Sequence, residues 1–240
     1  MIGQTLEGFE RTSRPTRAHN ILQVTGGADN GYTAYHDCRR LAIDADAAET
    51  MSALVAGLNN TVIASCPMFA VHSGVVGWPK GIVALPASSG GGKSTLTAAL
   101  LRSGFDYLSD EALVVDDSGD VVPYPKPMAL SRWSADTLGL ESGSAESLLT
   151  PMDLAASRYE DTGRLTDLVL AEYGHDELAL RPSPRSDAVA ALIGHSFNHY
   201  KDPVRAFRLA TDLAREIRVW SLEYDDPLEA AALVGDTLMS

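Results

Sequence analysis

The chain has 240 residues, of which 45% are hydrophobic and 21% are charged, and its formal net charge is −13. This composition supports a folded core and excludes extended disorder, which is marked by low hydrophobicity and high net charge. The acidic balance also makes nucleic acid and anionic membrane surfaces poor partners, because their phosphate groups repel it.

The first 66 residues predict a small α+β lobe. Stretches 21–24 and 32–37 alternate in polarity around a glycine-rich turn and predict two strands, and residues 39–44 predict a third. Residues 46–58 predict a helix that the two following asparagines end. Its apolar face has helical spacing and comprises Met51, Leu54, Val55 and Leu58.

From Val71 onward strands alternate with helices, which predicts one α/β domain over residues 67–240. The predicted strands are 71–78, 81–86, 107–117, 164–173 and 218–224. The predicted helices are 93–102, 185–197, 202–217 and 225–239. Between them, the prolines of 121–131 favour an extended segment, and 131–158 is expected to contain short helices and loops.

The compartment is predicted from cysteines and from apolar segments. Cys38 and Cys66 are too few for a disulfide framework or a metal cluster, so two reduced thiols are expected. Residues 1–17 lack the apolar segment of a signal peptide, and 1–19 form a polar lead-in. The most apolar window, 61–78, is interrupted by polar residues and predicts no membrane span. These features favour a cytoplasmic protein.

Residues 87–94, ASSGGGKS, stand between a predicted strand and a predicted helix. Their spacing fits the phosphate-binding loop, with alanine in place of its first glycine. Glycines let backbone N–H groups approach phosphate oxygens without a Cβ clash, and a helix N-terminus attracts negative charge. We therefore predict that a nucleoside triphosphate is bound by Ala87, Ser88, Ser89, Gly90, Gly91, Gly92, Lys93, Ser94 and Thr95.

Side chains in and after this loop have the chemistry that phosphoryl transfer requires. Lys93 is predicted to reach the β- and γ-phosphates, and the Ser94 hydroxyl to ligate Mg²⁺. Asp110 and Glu111 follow the predicted helix as neighbouring carboxylates. One would hold Mg²⁺ and the other would accept a proton from an attacking hydroxyl.

The stretch 71–115 resembles the catalytic core of HPr kinase/phosphorylase and its shorter, HPr-kinase-like relatives. The matching parts are Val71-His72, the loop 87–94, the turn 103–105 and the triplet 109–111. The resemblance implies a P-loop-containing domain of the type shared with phosphoenolpyruvate carboxykinase, and ATP- and Mg²⁺-dependent phosphorylation of a serine or threonine hydroxyl on a peptide or small protein. Since some of the shorter relatives lie in peptide-modification pathways, a precursor peptide is a candidate acceptor.

The resemblance also implies residue roles. It makes Asp110 the general base and Glu111 the metal partner, with an exchange of the two roles left open, and it places His72 near the transferred phosphate. It also makes a homo-oligomer a candidate state. The chain departs from the family at Glu111, where the family has aspartate, and the downstream signature of the bifunctional enzymes is absent, so phosphorylase activity is not implied.

Other cationic residues are candidate partners for phosphate. Lys126 lies on a stiff proline-rich segment soon after the carboxylates and is a candidate, whereas the arginines are interpreted as surface cations. These arginines are Arg102, Arg132, Arg158 and Arg164. His195 and His199 are spaced to share a helix face, but no nearby carboxylate or cysteine pattern supports a metal site there.

Three activities remain open at this point. The first is the kinase described above. The second is an ATPase in which Asp110 or Glu111 orients water, and the third is a nucleotide-binding regulatory protein without turnover. No base-specific motif is visible, so ATP and GTP are both compatible with the sequence.

Overall fold

Three antiparallel strands and a long helix form the first part of the fold. The computed structural model describes residues 21–27, 29–87, 90–141, 147–159 and 161–239; the predicted lead-in at 1–19 lies outside them. The strands pair in the order β1-β2-β3, and the helix follows β3 directly. The elements are β1 (Leu22–Gly27), β2 (Gly31–His36), β3 (Arg39–Ala45) and α1 (Ala47–Ser65).

Helix α1 is longer than the sequence pattern predicts. The prediction that the two asparagines end it is wrong, because α1 runs on to Ser65. Asn59 is buried. The hydroxyl groups of Thr61 and Ser65 donate to the carbonyls of Gly57 and Thr61, at 3.0 and 2.8 Å. Polar side chains here bond within the helix and so do not break it.

The described residues fall into two compact units. The first contains the described residues up to Ser65 together with those within Ala129–Leu149, and the second contains those within Cys66–Met128 and from Thr150 onward. The division predicted from the sequence, 1–66 and 67–240, places 129–149 with the second part of the chain. In the structure those residues group with the first part.

The second unit contains a mixed eight-stranded sheet flanked by helices, a mixed α/β architecture. The strand order is β12-β13-β11-β5-β4-β7-β8, and β6 pairs with β4. Strands β5, β11 and β13 are parallel to one another. The strands are β4 (Phe69–Trp78), β5 (Gly81–Pro86), β6 (Asp106–Ser109), β7 (Ala112–Val115), β8 (Asp120–Val122), β11 (Gly163–Tyr173), β12 (Ala179–Pro182) and β13 (Arg218–Tyr224).

The remaining elements complete the chain. The helices are α2 (Lys93–Arg102), α3 (Arg132–Thr137), α4 (Arg185–Gly194), α5 (Pro203–Glu216) and α6 (Pro227–Met239). Strands β9 (Met128–Leu130) and β10 (Ser147–Leu149) pair with each other, and two short 3₁₀ helices span Pro151–Leu154 and His199–Lys201. Among the described helices, none has both the length and the apolar character needed to cross a lipid bilayer.

Most predicted strands and helices of the second unit are confirmed. Asp202 caps α5, since its carboxylate accepts from the Arg205 amide at 3.0 Å and Pro203 begins the helix. The apolar face of α5 and that of α4 cover the sheet, which forms the main core. The predicted strand 107–117 is instead two strands, β6 and β7, interrupted at Asp110 and Glu111.

Candidate functional site

A glycine turn connects β5 to α2. Gly90 and Gly92 have φ of 85° and 77°, in the left-handed region that favours glycine. Gly92 caps α2, and its carbonyl accepts from the Leu96 amide at 3.0 Å. Ser88 and Ser89, two of the predicted loop residues, lie outside the described residues. The described part of the loop therefore has a left-handed backbone conformation that glycine adopts more easily than other residues.

Lys93, the first residue of α2, points into the protein. Its side chain is buried, and Nζ donates a hydrogen bond of 2.8 Å to the backbone carbonyl of Asp110. The same nitrogen lies 3.8 Å from Oδ1 of Asp110. The lysine of the loop and the first predicted carboxylate are thus in contact.

Asp110 occupies the interruption between β6 and β7. Ser109 shapes this interruption, because its hydroxyl accepts from the amides of Glu111 and Ala112 at 3.1 and 3.0 Å. The Asp110 side chain is 3% exposed. Among the described residues its Oδ1 has no hydrogen-bond partner. A buried carboxylate oxygen without a partner is costly, so this atom is suited to receive a proton, a cation or a hydroxyl group.

The charge state of Asp110 depends on its surroundings. Burial raises the pKa of its carboxyl above the ordinary value, and the ammonium groups of Lys93 and Lys126 act in the opposite direction. A hydrogen bond from the Ser94 side chain also favours the charged form. Asp110 is therefore more basic than a solvated aspartate, which suits a group that accepts a proton.

Glu111 lies between two nitrogen-bearing side chains. Its Oε1 is 3.9 Å from Nε2 of His72, and its Oε2 is 3.5 Å from Nζ of Lys126. Burial lowers the pKa of His72, as does Lys93, while Glu111 opposes them. The imidazole ring packs against Phe197 with centroids 5.4 Å apart. His72 is thus held near the carboxylates in a setting that favours its neutral form.

Lys126, a candidate cation from the sequence, lies in this cluster beside Glu111. It lies in the extended segment between β8 and β9, and its side chain is 6% exposed. The Tyr107 hydroxyl donates to its backbone carbonyl at 2.6 Å. Burial raises the pKa of Tyr107 well above its ordinary value, which keeps this hydroxyl a donor. A buried hydrogen bond thus fixes the backbone that carries Lys126.

Two of the other candidate residues adjoin the cluster. The backbone carbonyl of His195 accepts from the His72 amide at 2.8 Å, and His195 contributes to the lowered pKa of His72. Arg158 forms a backbone bridge with Tyr107.

The remaining arginines form surface ion pairs or are exposed. Arg164 pairs with Asp120 at 2.9 Å, and Arg132 lies 3.6 Å from Asp136. Arg102 is exposed at the end of α2. The prediction that His195 and His199 share a helix face is wrong, because α4 ends at Gly194.

The oxygen groups of the cluster fit Mg²⁺ that arrives with a nucleotide. Mg²⁺ is typically held by one or two carboxylates together with substrate phosphates. Asp110, Glu111 and Ser94 supply oxygen groups that could hold it, and among the described residues Oδ1 of Asp110 accepts no hydrogen bond. Across the described ranges, no group of three or more His, Cys, Asp or Glu side chains gathers into a metal site.

Two further residues beside the loop were missed by the sequence interpretation. Tyr173 and Tyr224 end β11 and β13, next to Gly92. The signal was available in principle, since each is the last residue of a predicted strand. Carboxyl ends of parallel strands share one edge of a sheet, where ligands of α/β proteins bind. What the sequence lacked was the sheet order that places β11 beside β5 and β13 beside β11.

Comparison with known proteins places little constraint on function. No protein-family model matches the chain, and no curated protein matches it. Among solved structures it is similar to the HPr(Ser) kinase/phosphatase from Coxiella burnetii, with 12% identity and a TM-score of 0.38. The match covers 71% of this chain and 96% of that one. Similarity at this level establishes neither a shared family nor a shared function.

Proposed function

We propose that the protein is an ATP- and Mg²⁺-dependent kinase that phosphorylates a serine or threonine hydroxyl of a peptide or small protein. One observation carries this proposal. Oδ1 of Asp110 is buried, accepts no hydrogen bond among the described residues, and lies 3.8 Å from the ammonium of Lys93, the lysine of a glycine turn at a helix N-terminus. A phosphate-binding element and a candidate base thus lie side by side.

The glycine turn would hold the polyphosphate. The N-terminus of α2 attracts anions, and Lys93 places a buried positive charge beside it. In phosphoryl transfer most of the catalysis comes from positioning and from stabilising charge on the transferred group. Lys93 and Lys126 are the two buried ammonium groups that bear on Asp110 and Glu111, so both are suited to stabilise that charge.

Asp110 would accept the proton of the acceptor hydroxyl. The oxygen of that hydroxyl forms a bond to the γ-phosphorus, the bond from this phosphorus to the β,γ-bridging oxygen breaks, and ADP leaves. The raised pKa of Asp110 makes it a better base than a solvated aspartate. Bound Mg²⁺ would neutralise charge on the phosphate oxygens. Glu111 and Ser94 would hold the ion, and Asp110 is a third candidate ligand.

The resemblance of residues 71–115 to HPr kinases supports the same assignment. It aligns the loop, the carboxylate pair and His72, and these residues meet in one cluster. His72 is 3.9 Å from Glu111, so it is suited to position that carboxylate or the transferred group. The resemblance does not extend to a defined acceptor, and the acceptor class is part of the proposal.

The test is transfer of labelled γ-phosphate to serine- and threonine-containing peptides, with and without a Mg²⁺ chelator. Wild-type protein should label a hydroxyl acceptor only with Mg²⁺ present, and Asp110→Asn should reduce the rate about 10²- to 10⁴-fold while ATP binding is retained. Asp106→Asn, at the other end of β6, is the matched control. ATP hydrolysis that no acceptor accelerates would replace the kinase with the ATPase alternative.

A further inference from the structure

The order of strands separates two flanks of the glycine turn. Strand β5, which leads into the turn, lies between β4 and β11. The carboxylates belong to the β4 flank, because β6 and β7 both pair with β4. On the opposite flank β11 and β13 run parallel to β5, so their carboxyl ends lie at the same sheet edge as the turn.

These two strands end in a pair of tyrosines. The rings of Tyr173 and Tyr224 meet edge to face, with centroids 5.7 Å apart and an interplanar angle of 64°. A Cβ added at Gly92 would lie 3.0 Å from Oη of Tyr224 and 3.6 Å from Cβ of Tyr173. Both tyrosines therefore lie against the last glycine of the turn.

The two rings differ in exposure. Tyr224 is 1% exposed, and among the described residues its hydroxyl has no hydrogen-bond partner. Tyr173 is 46% exposed, so a large part of this residue is accessible beside the turn. A buried ring thus packs against a partly exposed one, and beside Gly92 the hydroxyl of the buried ring is a polar group with no hydrogen-bond partner among the described residues.

A nucleotide in this turn would have its two ends on opposite flanks. Its terminal phosphate has to face the carboxylates for transfer, which directs the nucleoside toward β11 and β13. We propose that the ring of Tyr173 stacks on the nucleobase, with Tyr224 as a positioning residue that holds the Tyr173 ring beside Gly92. This inference rests on the proposed nucleotide site. Since every base has a π-face, such a platform would accept adenine and guanine alike.

The test compares a nucleotide with a polyphosphate that has no base. Binding of ATP, GTP and inorganic tripolyphosphate would be measured by calorimetry for the wild type, Tyr173→Leu and Tyr173→Phe, after thermal unfolding shows that the variants fold. Loss of one base–aromatic stack should lower the affinity of Tyr173→Leu for ATP and GTP about 5- to 100-fold. Its affinity for tripolyphosphate should change less than about twofold. Tyr173→Phe, which keeps an aromatic ring, should bind nucleotides as the wild type does. Tyr200→Leu, at a 67% exposed tyrosine, is the control.

The outcomes separate this inference from the proposed function. Unchanged ATP affinity in Tyr173→Leu would overturn the stacking role. An equal loss for ATP and tripolyphosphate would also overturn it, because the effect would then lie on the turn and not on the base. Failure of the wild type to bind either ligand would overturn the nucleotide site itself, whatever the behaviour of the Tyr173 variants.

Discussion

The ammonium of Lys93 donates to the backbone carbonyl of Asp110 at 2.8 Å while lying 3.8 Å from the carboxylate of the same residue. This pair connects the start of α2 to the interruption between β6 and β7. The position of Lys93 is therefore fixed by a backbone carbonyl, whose charge does not change with pH. The positive charge of Lys93 also lies beside the carboxylate of Asp110. A phosphate entering the turn would meet a cation already directed at the candidate base.

Replacing Lys93 by methionine tests the phosphate-binding role. Methionine keeps most of the buried volume but removes the charge, so we expect ATP affinity to fall at least about tenfold and transfer to be lost. Calorimetric titration with ATP and Mg²⁺ measures the first effect. Lys80→Met, which changes a surface lysine over Trp78, should leave affinity unchanged. If Lys93→Met bound ATP as the wild type does, the turn would not be the nucleotide site.

Replacing Asp110 by asparagine should stabilise the fold at neutral pH. Burial raises the pKa of Asp110 above its ordinary 3.8, so its contribution to stability is fully present below pH 3.8 and is lost as the pH rises through the folded-state pKa. Asparagine stays neutral throughout and avoids that loss. Denaturant unfolding at several pH values should show a variant more stable than the wild type at pH 7, with the gap closing toward pH 4. A gap that widens on acidification would contradict the raised pKa.

Replacing Gly92 by alanine should harm ligand binding as well as stability. The φ of 77° costs an alanine about 1–2 kcal/mol, and its Cβ would lie 3.0 Å from Oη of Tyr224. Gly104→Ala is a matched control, since φ there is 98° but no atom lies within 4 Å of the added Cβ. Thermal unfolding should show that both variants are less stable than the wild type, whereas ATP affinity should fall only for Gly92→Ala. Equal ATP affinity in the two would separate Gly92 from the site.

Replacing Lys126 by methionine tests the second buried cation. Its Nζ lies 3.5 Å from Oε2 of Glu111 and outside the glycine turn. We expect transfer to slow about 10²-fold, as for removal of one charge-stabilising group, with ATP affinity nearly unchanged. Steady-state labelling separates the two effects as a change in kcat against a change in KM, and Lys201→Met provides a surface control. A rise in KM alone would make Lys126 a nucleotide ligand.

The sequence predicts the elements of the second unit better than the approach of distant segments. Local signals account for the start of α2 at Lys93 and for the Asp202 cap of α5, because glycine, proline and capping residues act within a few positions. The continuation of α1 past Asn59 was missed because burial, which a window of sequence does not reveal, overrides a polar pair.

The same distinction applies to the candidate site. Local signals single out Lys93 in the loop and Asp110 in the carboxylate pair, but their contact depends on β5 and β6 both pairing with β4. The approach of Lys126 to Glu111 needs the course of an irregular proline-rich segment, and the tyrosine pair needs the sheet order. Neither is encoded in local periodicity.

The pairing of β8 with both β7 and β11 has a consequence for self-association. It closes a circuit of five strands, β11-β5-β4-β7-β8, so each of these five described strands is paired with a neighbour on both sides. At the opposite margin, β12 is short, ends in a proline and carries Arg181 in an ion pair of 2.7 Å with Glu223. Charge and proline on a marginal strand discourage intermolecular strand addition. These features of the described strands disfavour extension of the sheet by a strand from another chain.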